Sequence, residues 1–414
     1  MRVIITYLFC LISCTQLSAQ LSLKGKVITA DGGKPVALAN VFLANTSIGT
    51  VSNEKGEFVI EQFPAGRYDL VVSFIGYESY VISLQSNRLP VDLEIKLKIK
   101  VNELKEVVLE PYEKDGWTKW GLFFMENFIG TSAFAEDCKL MNKDVIKFRF
   151  NRKKNILQAF ADDRLVIENK ALGYLLKYDL ISFDFDFNTK RFFYQGYPLF
   201  EEMKAKREGI QKKWISNRQD AYYGSMMHFM RSLFRNKLIE QQFEVRKIIK
   251  LSSEEQVRVK AAYLKARIPV AMNGHQVIVN DSKSDIHPDT LAYYRKVIQT
   301  PEDFNVLINQ VLPGDSIAYA VDSISVGLDF SDYLQIVYPP KKAPIEYGKS
   351  IQKILRDVPI TSEIFRLSST PIIVLSNGTY FEGTNLISTQ YWAWSEKIAS
   401  LLPVDYWPPP KKMR

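Results

Sequence analysis

The chain has 414 residues, of which 46% are hydrophobic and 24% charged, and it carries a formal net charge of +8 with three cysteines. That length exceeds one ordinary core and predicts two or three domains, and the composition excludes a disordered or collagen-like chain. Three histidines in so long a chain leave few sites for metal or acid–base chemistry.

The first element is a targeting segment. Arg2 gives a positive start, and Val3 to Ser13 form an apolar stretch too short for a stable membrane anchor. Small residues at Ser18 and Ala19 place a cleavage site after Ala19, so residues 1–19 read as a signal peptide and Gln20 as the mature start. The second reading takes Leu11-Ile12-Ser13-Cys14 as a lipobox with Cys14 lipidated. Cleavage after Ala19 removes Cys10 and Cys14 and leaves Cys138 alone, a thiol expected to be buried rather than reactive. Nothing downstream is long and apolar enough for a transmembrane helix.

From Leu21 to Glu110 short alternating runs are separated by turn residues. Leu23–Ile28, Ala39–Leu43, Glu57–Glu61, Tyr68–Phe74, Tyr80–Leu84 and Val91–Leu97 read as strands, the last an amphipathic edge. Asp31-Gly32-Gly33, Asn53-Glu54-Lys55-Gly56 and Pro64-Ala65-Gly66 mark the corners. Gly25-Lys26-Val27, Pro35-Val36 with Ala39-Asn40-Val41, Gly56-Glu57-Phe58, Pro64 to Tyr68 and Ile75-Gly76-Tyr77 follow in one order. In these motifs residues 20–110 resemble the carboxypeptidase-regulatory-like, transthyretin-like domain of bacterial envelope proteins. The resemblance implies a seven-stranded-type β-sandwich that accompanies carboxypeptidases without doing their chemistry.

A linker at 111–116 is expected next, followed by a β-rich α+β domain over 117–407 and a solvated tail at 408–414. Trp117, Trp120, Phe124 and Phe128 recur at helical spacing and predict a docking helix. Val145–Phe150, Ile156–Ala161, Leu165–Ile167, Leu172–Phe187 and Arg191–Tyr197 read as antiparallel strands. Within them Asp184 and Asp186 share one face while Phe183, Phe185 and Phe187 share the other, which reads as a solvated strand face, too poor in oxygens for calcium. From Phe200 to Leu238 the pattern turns helical, with Met226, Phe229, Met230, Leu233 and Phe234 as its apolar stripe. His228, Arg231 and Arg235 fall on another side by three- and four-residue steps and read as an exposed basic face. A last helix is expected from Trp392 to Leu402, stopped by Pro403. The fold class is therefore mainly β with α insertions.

Charge is uneven. Residues 201–250 hold 12 basic and 6 acidic side chains, whereas 21–113 are slightly acidic. The basic run reads first as a solvated helix face, and second as an attraction for anionic lipid headgroups, acidic polysaccharide or an acidic partner. Nucleic acid is not expected as a partner in an exported protein.

No zinc carboxypeptidase motif is present, since none of His228, His275 and His287 has a carboxylate three residues on. There is no Gly-x-Ser-x-Gly elbow and no phosphate-cradling loop, and no metal or cofactor is expected. Asp281, Asp285 and Asp289 lack the spacing of a calcium loop. Ser225 lies three residues from His228, which alone suggests a nucleophile and base. The candidate surface is thus Arg218, Tyr222, Tyr223, Ser225, His228, Arg231 and Arg235. The leading expectation is a non-catalytic envelope protein that binds or assembles with an envelope protein or glycan. The alternatives are a hydrolase centred on residues 218–235 and a peripheral outer-membrane accessory protein held by lipid at Cys14 or by the basic run.

Overall fold

A computed structural model of the protein describes residues 21–90, 92–100, 111–250, 253–265, 270–273, 276–279, 287–299 and 305–409. The expected signal peptide with Cys10 and Cys14, and His275, Asp281 and Asp285, lie outside the described residues. The chain is mostly β, with several sheets and a few helices. It divides into two compact units, residues 1–220 with 397–414 and residues 221–396, whereas sequence alone draws its divisions at 111–116 and 408.

In the first unit the N-terminal runs form a sandwich. Strands β1 (Leu23–Thr29), β2 (Asn40–Leu43), β3 (Gly49–Val51), β4 (Glu57–Ile60), β5 (Arg67–Ser73), β6 (Tyr80–Gln85) and β7 (Leu93–Leu97) make two sheets, β4-β1-β7 and β3-β2-β5-β6. Alternation decides which side chains turn inward: Phe58 and Ile60 of β4, and Ile95 and Leu97 of β7, are buried while their neighbours face water. β7 lies at a sheet edge and pairs parallel to β1, with Val27 opposite Ile95. Asn53 Oδ1 organises the turn into β4 by accepting from the Lys55 and Glu57 amides, each at 2.9 Å. Gly56 closes it at φ +76°, where a Cβ would come within 2.3 Å of the Val27 carbonyl oxygen.

The sandwich is joined to a second sheet within the same unit. The β2–β3 loop runs alongside a distant strand: Asn45 N–H donates to Pro198 O at 2.8 Å and Phe200 N–H to Thr46 O at 3.0 Å. Phe42, Ala44, Val71 and Leu199 share one buried cluster. The C-terminal segment returns to the same loop, with Val404 N–H donating to Asn45 O and the Ser47 amide to Asp405 Oδ1.

Helix α1 (Gly116–Phe128) precedes that sheet, which is built from β8 (Cys138–Leu140), β9 (Ile146–Asn151), β10 (Ile156–Ala161), β11 (Leu165–Asn169), β12 (Tyr174–Asp186) and β13 (Arg191–Glu202). The 13-residue β12 is its spine: β11 pairs with its first half, β10 with its last residues, and β13 runs along its other edge. The docking helix forms as expected. Phe123 packs edge-on to Phe185 at 4.8 Å between ring centroids, Phe124 lies 4.9 Å from Phe183, and Trp120 meets Phe150 at 5.3 Å. β13 continues to Glu202, through residues the sequence assigns to a helix, because pairing with β12 holds Phe200 opposite Leu176. Helix α2 (Glu208–Tyr222) follows.

The second unit starts at α3 (Met226–Phe234) and continues through β14 (Glu244–Lys250), α4 (Ser253–Lys265), β15 (Val270–Asn273), β16 (Gln276–Val279), α5 (Pro288–Gln299), β17 (Asn305–Leu307), β18 (Ala318–Ala320), β19 (Ser325–Leu328) and β20 (Tyr333–Lys342). Then come α6 (Ile345–Ser350), β21 (Pro359–Arg366), β22 (Ile372–Leu375), β23 (Tyr380–Phe381), β24 (Leu386–Gln390) and α7 (Tyr391–Ser395). A five-stranded sheet, β17-β14-β20-β21-β24, and a four-stranded one, β18-β19-β22-β23, contribute to one core with the apolar stripe of α3. The expected helix over Trp392–Leu402 is corrected to the single turn of α7, with an extended residue at Lys397 (φ −124°, ψ 168°). The chain leaves one unit for the other at 396/397, so its apolar residues serve two cores and cannot share one helix face.

No described helix is long and apolar enough to cross a membrane.

Candidate functional site

Of the residues singled out between 221 and 235, Tyr222, His228 and Arg231 are buried, Tyr223 and Ser225 partly so, and Arg235 is exposed. Ser225 is the N-cap of α3, its Oγ accepting from the His228 amide at 3.1 Å. Gly224 N–H donates to His228 Nδ1 at 3.2 Å, which places the imidazole proton on Nε2, 3.1 Å from Gln241 Oε1. The ring is 2% exposed and lies among Tyr222, Tyr223, Phe243 and Tyr338. Gly224 holds this corner at φ +81°, where a Cβ would meet Ile360 at 2.6 Å, and its carbonyl accepts from the Trp392 indole at 2.8 Å. Both imidazole nitrogens are thus engaged away from Ser225 Oγ. Ser and His are neighbours here through a backbone cap, and the nucleophile–base pair suggested by their spacing is not assembled.

The expected exposed basic face is also corrected. His228 and Arg231 are 2% and 1% exposed, and only Arg235 of the three reaches water. Arg231 Nε donates to Asn377 O at 2.8 Å, and its guanidinium lies over the Tyr222 ring at 5.4 Å. A three-residue step puts two side chains on one side of a helix, but α3 is covered on that side as well as on its apolar stripe. At the head of α3, Glu396 accepts from the Met226 amide at 3.0 Å, and burial holds its carboxyl above the usual carboxylate range. Ser225→Ala is expected to cost about 1 kcal/mol of stability through loss of the cap. A urea titration of the variant checks this, and a cost near zero would remove the capping role.

Arg218 belongs to the other unit and is 6% exposed. Its Nε donates to Leu172 O at 2.7 Å, NH1 pairs with Glu202 at 2.8 Å, NH2 reaches Gly173 O at 3.3 Å, and the guanidinium stacks 3.9 Å from the Tyr174 ring centroid. With Trp214 Nε1 bonded to Lys170 O and Asn217 Nδ2 to Ala171 O, it ties α2 onto the turn between β11 and β12. Of the 12 basic side chains of residues 201–250 at least half are in ion pairs, Arg218 with Glu202, Lys212 with Glu208, Lys213 with Asp137, Lys237 with Glu240, Arg246 with Glu244 and Lys247 with Asp332.

A concave site lies elsewhere, on the sheet face opposite α1. The register makes it. Asn151, Ile156, Asp186 and Arg191 stand opposite one another in a row across β9, β10, β12 and β13, and Arg149, Gln158, Asp184 and Phe193 form the next row. The intervening row, Phe150, Leu157, Phe185 and Phe192, is on the face that carries the aromatic packing with α1. One sheet therefore has an aromatic inner face and a polar outer face. All residues of the two outer rows except Arg149, with Lys154 from the β9–β10 turn, line a cavity of about 260 Å³.

Its polar groups are partly pre-arranged. Gln158 Nε2 donates to Asp184 Oδ1 at 2.7 Å. Asp186 Oδ1 accepts from the Asn188 amide at 2.8 Å, and this bond with the Thr189 hydroxyl keeps its carboxyl below the usual range, so it stays an acceptor at neutral pH. The two hairpin turns at the rim are clamped together: Asn155 Nδ2 donates to Asn188 Oδ1, Asn188 Nδ2 to Lys154 O, and Phe187 N–H to Asn155 O, each at 3.0 Å. Phe193 is 37% exposed at the cavity. The sequence shows the Asp184/Asp186 alternation, but the partners that make a cavity of it come from strands up to 35 residues away, as in the pairing of Gln158 with Arg149, Asp184 and, through it, Phe193.

Two other groups lie apart from this site, Cys138 partly buried and His287 exposed. Burial, with Asp137 beside it, pushes the Cys138 thiol up to about 12. At pH 8 its reaction with a disulfide reagent is expected to be on the order of a thousand times slower than that of a free thiol, because the thiolate fraction is that much smaller. A rate within tenfold of free cysteine would contradict the burial. Among the described residues no three His, Cys, Asp or Glu side chains gather as a metal site, and His287 is exposed beside Asp289.

No curated protein matches the chain. Among solved structures it is similar to a 9R-lipoxygenase from Cyanothece PCC8801, with 9% identity and a TM-score of 0.16 over 57% of this chain and 50% of that one. The chain thus spans about half the length of the lipoxygenase. A protein of unknown function from Bacteroides fragilis NCTC 9343 aligns with 10% identity and a TM-score of 0.15, over 86% of this chain and 93% of that one. At such TM-scores neither likeness carries an argument. The family model of the CarboxypepD_reg-like domain matches residues 23–109, the segment that folds as the sandwich of β1 to β7, and this part of the chain is a CarboxypepD_reg-like domain, a non-catalytic Ig-like fold type.

Proposed function

We propose that the protein is an exported, non-catalytic component of a bacterial cell envelope that acts by binding or assembly. The observation that carries this reading is the contrast between its two polar regions. Arg218, His228 and Arg231 are bonded into the interior, whereas the outer face of the β9-β10-β12-β13 sheet presents carboxylates, amides and cations around an open concavity. The sandwich supports it as a module without chemistry of its own. The apolar segment after Arg2 and the small residues before Gln20 support export.

Fractionation of the native host with mass spectrometry of the mature N-terminus tests the reading. A chain beginning at Gln20 in the envelope fraction is expected. A lipidated start at Cys14 would replace soluble export by an anchor and keep the envelope role, while an intact Met1 in the cytoplasm would overturn it.

A further inference from the structure

The concavity on the outer sheet face has a composition that selects its ligand. Asp184 and Asp186 face Lys154 and Arg191, so carboxylates and cations balance and a strongly charged ligand gains nothing net. Apart from Ile156 and Phe193 every lining side chain ends in a polar group, yet most of the surface exposed in the cavity is apolar, so a purely apolar ligand would leave the polar ends unpaired and a purely polar one would gain little from the walls. What remains is a wall of planar, two-pronged side chains. Asp offers two acceptors side by side, Arg two parallel donors, and Asn and Gln a donor beside an acceptor, pairings that two neighbouring hydroxyl groups, each donor and acceptor, can satisfy.

The rest of the site agrees. Gln158 occupies one oxygen of Asp184 and leaves Oδ2 without a hydrogen-bond partner among the described residues. Among the described residues neither the Arg191 guanidinium nor the Lys154 ammonium is in an ion pair or side-chain hydrogen bond, although the Arg191 charge acts on Asp186, so both have donors to offer a ligand. Phe193 stands beside Asp184 in the register and is half exposed, offering the negative face of its ring to the polarised C–H groups on one side of a sugar. At about 260 Å³ the cavity lies just below the range of about 300–1,000 Å³ typical of drug-sized ligands, and suits one or two sugar rings. The Asn155–Asn188 clamp fixes the rim before any ligand arrives, which lowers the entropy lost on binding.

We propose that this face binds a neutral saccharide, with Phe193 stacking on a pyranose ring and Asp184, Gln158, Asn151 and Arg191 bonding its hydroxyl groups. The assignment rests on the binding reading above and names its ligand class.

The full-length mature protein is titrated with cellohexaose, laminarihexaose and chitohexaose by saturation-transfer NMR and calorimetry, with inorganic phosphate as the competing probe. At least one oligosaccharide is expected to bind, and Phe193→Ala to weaken it by about tenfold or more, equivalent to about 1.4 kcal/mol. Arg191→Gln is the second variant, since its side chain is exposed and its charge bears on the fold, among the described residues, only through Asp186, and circular dichroism verifies that both variants fold. Leu122→Ala, exposed on α1, is the control expected to bind as the parent does. No signal from any of the three sugars, phosphate binding in their place, or equal affinity in parent and both variants would overturn the saccharide site. Those results with the chain still recovered from the envelope reject this ligand alone, whereas recovery of intact chain from the cytoplasm rejects the envelope reading.

Discussion

Phe124→Ala is expected to lower the stability of the first unit by about 3–5 kcal/mol, the range for deleting a fully buried aromatic ring. The ring is 0% exposed and is shared by every layer of the aromatic core: it stacks on Phe128 at 4.9 Å, meets Phe148 edge-on at 5.9 Å and touches Phe183. Neighbours fixed on separate strands cannot close on the void, so the cost includes lost contacts as well as lost transfer energy. In a domain of this size that corresponds to a fall in unfolding temperature on the order of 10 °C. Calorimetry resolves it if the two units unfold separately, with the transition of the second unit unmoved. A shift of one or two degrees would mean that α1 is not what holds the inner face of the sheet. The same variant bears on the saccharide site, because its two rows are the reverse side of the strands against which α1 packs.

Arg218→Met should cost about 2–4 kcal/mol, although it keeps most of the apolar stem. The loss comes from the Leu172 carbonyl, which is left without its donor in a buried place, from the lost stack on Tyr174, and to a smaller degree from Gly173 O, which keeps the Met203 amide as a donor. The pair with Glu202 adds little, since that carboxylate is 59% exposed. Urea denaturation followed by tryptophan emission measures the effect, with Trp214 on α2 as a nearby reporter. An unchanged midpoint would show that the guanidinium is not a structural anchor and would return Arg218 to the candidate binding surface.

These two positions show how differently the sequence speaks about packing and about chemistry. Trp117, Trp120, Phe124 and Phe128 announce their helix, because a stripe at 3.6-residue spacing has one economical solution, burial against another element. Phe183, Phe185 and Phe187 announce a strand with two unlike faces by the same logic at period two. His228, Arg231 and Arg235 obey helical spacing equally well, and the inference from them failed. Spacing places side chains on a side of a helix and is silent about whether that side meets water or a second layer of core. β3, the three residues Gly49–Val51, has no hydrophobic signature and exists because Asn40 to Phe42 of β2 offer it an edge.

The sequence by itself determined the sandwich, its corners and the two-faced strands that follow, because alternation and turn residues act over a few positions and need no knowledge of partners. Only the tertiary structure decided where chemistry is available. It buried His228, Arg218 and Arg231 and turned Ser225 into a helix cap, and it set Asn151, Gln158, Asp184 and Arg191 side by side through strand register. Register is a cooperative property of paired strands, fixed by which faces are buried and by the turns between them, and no single run of residues contains it.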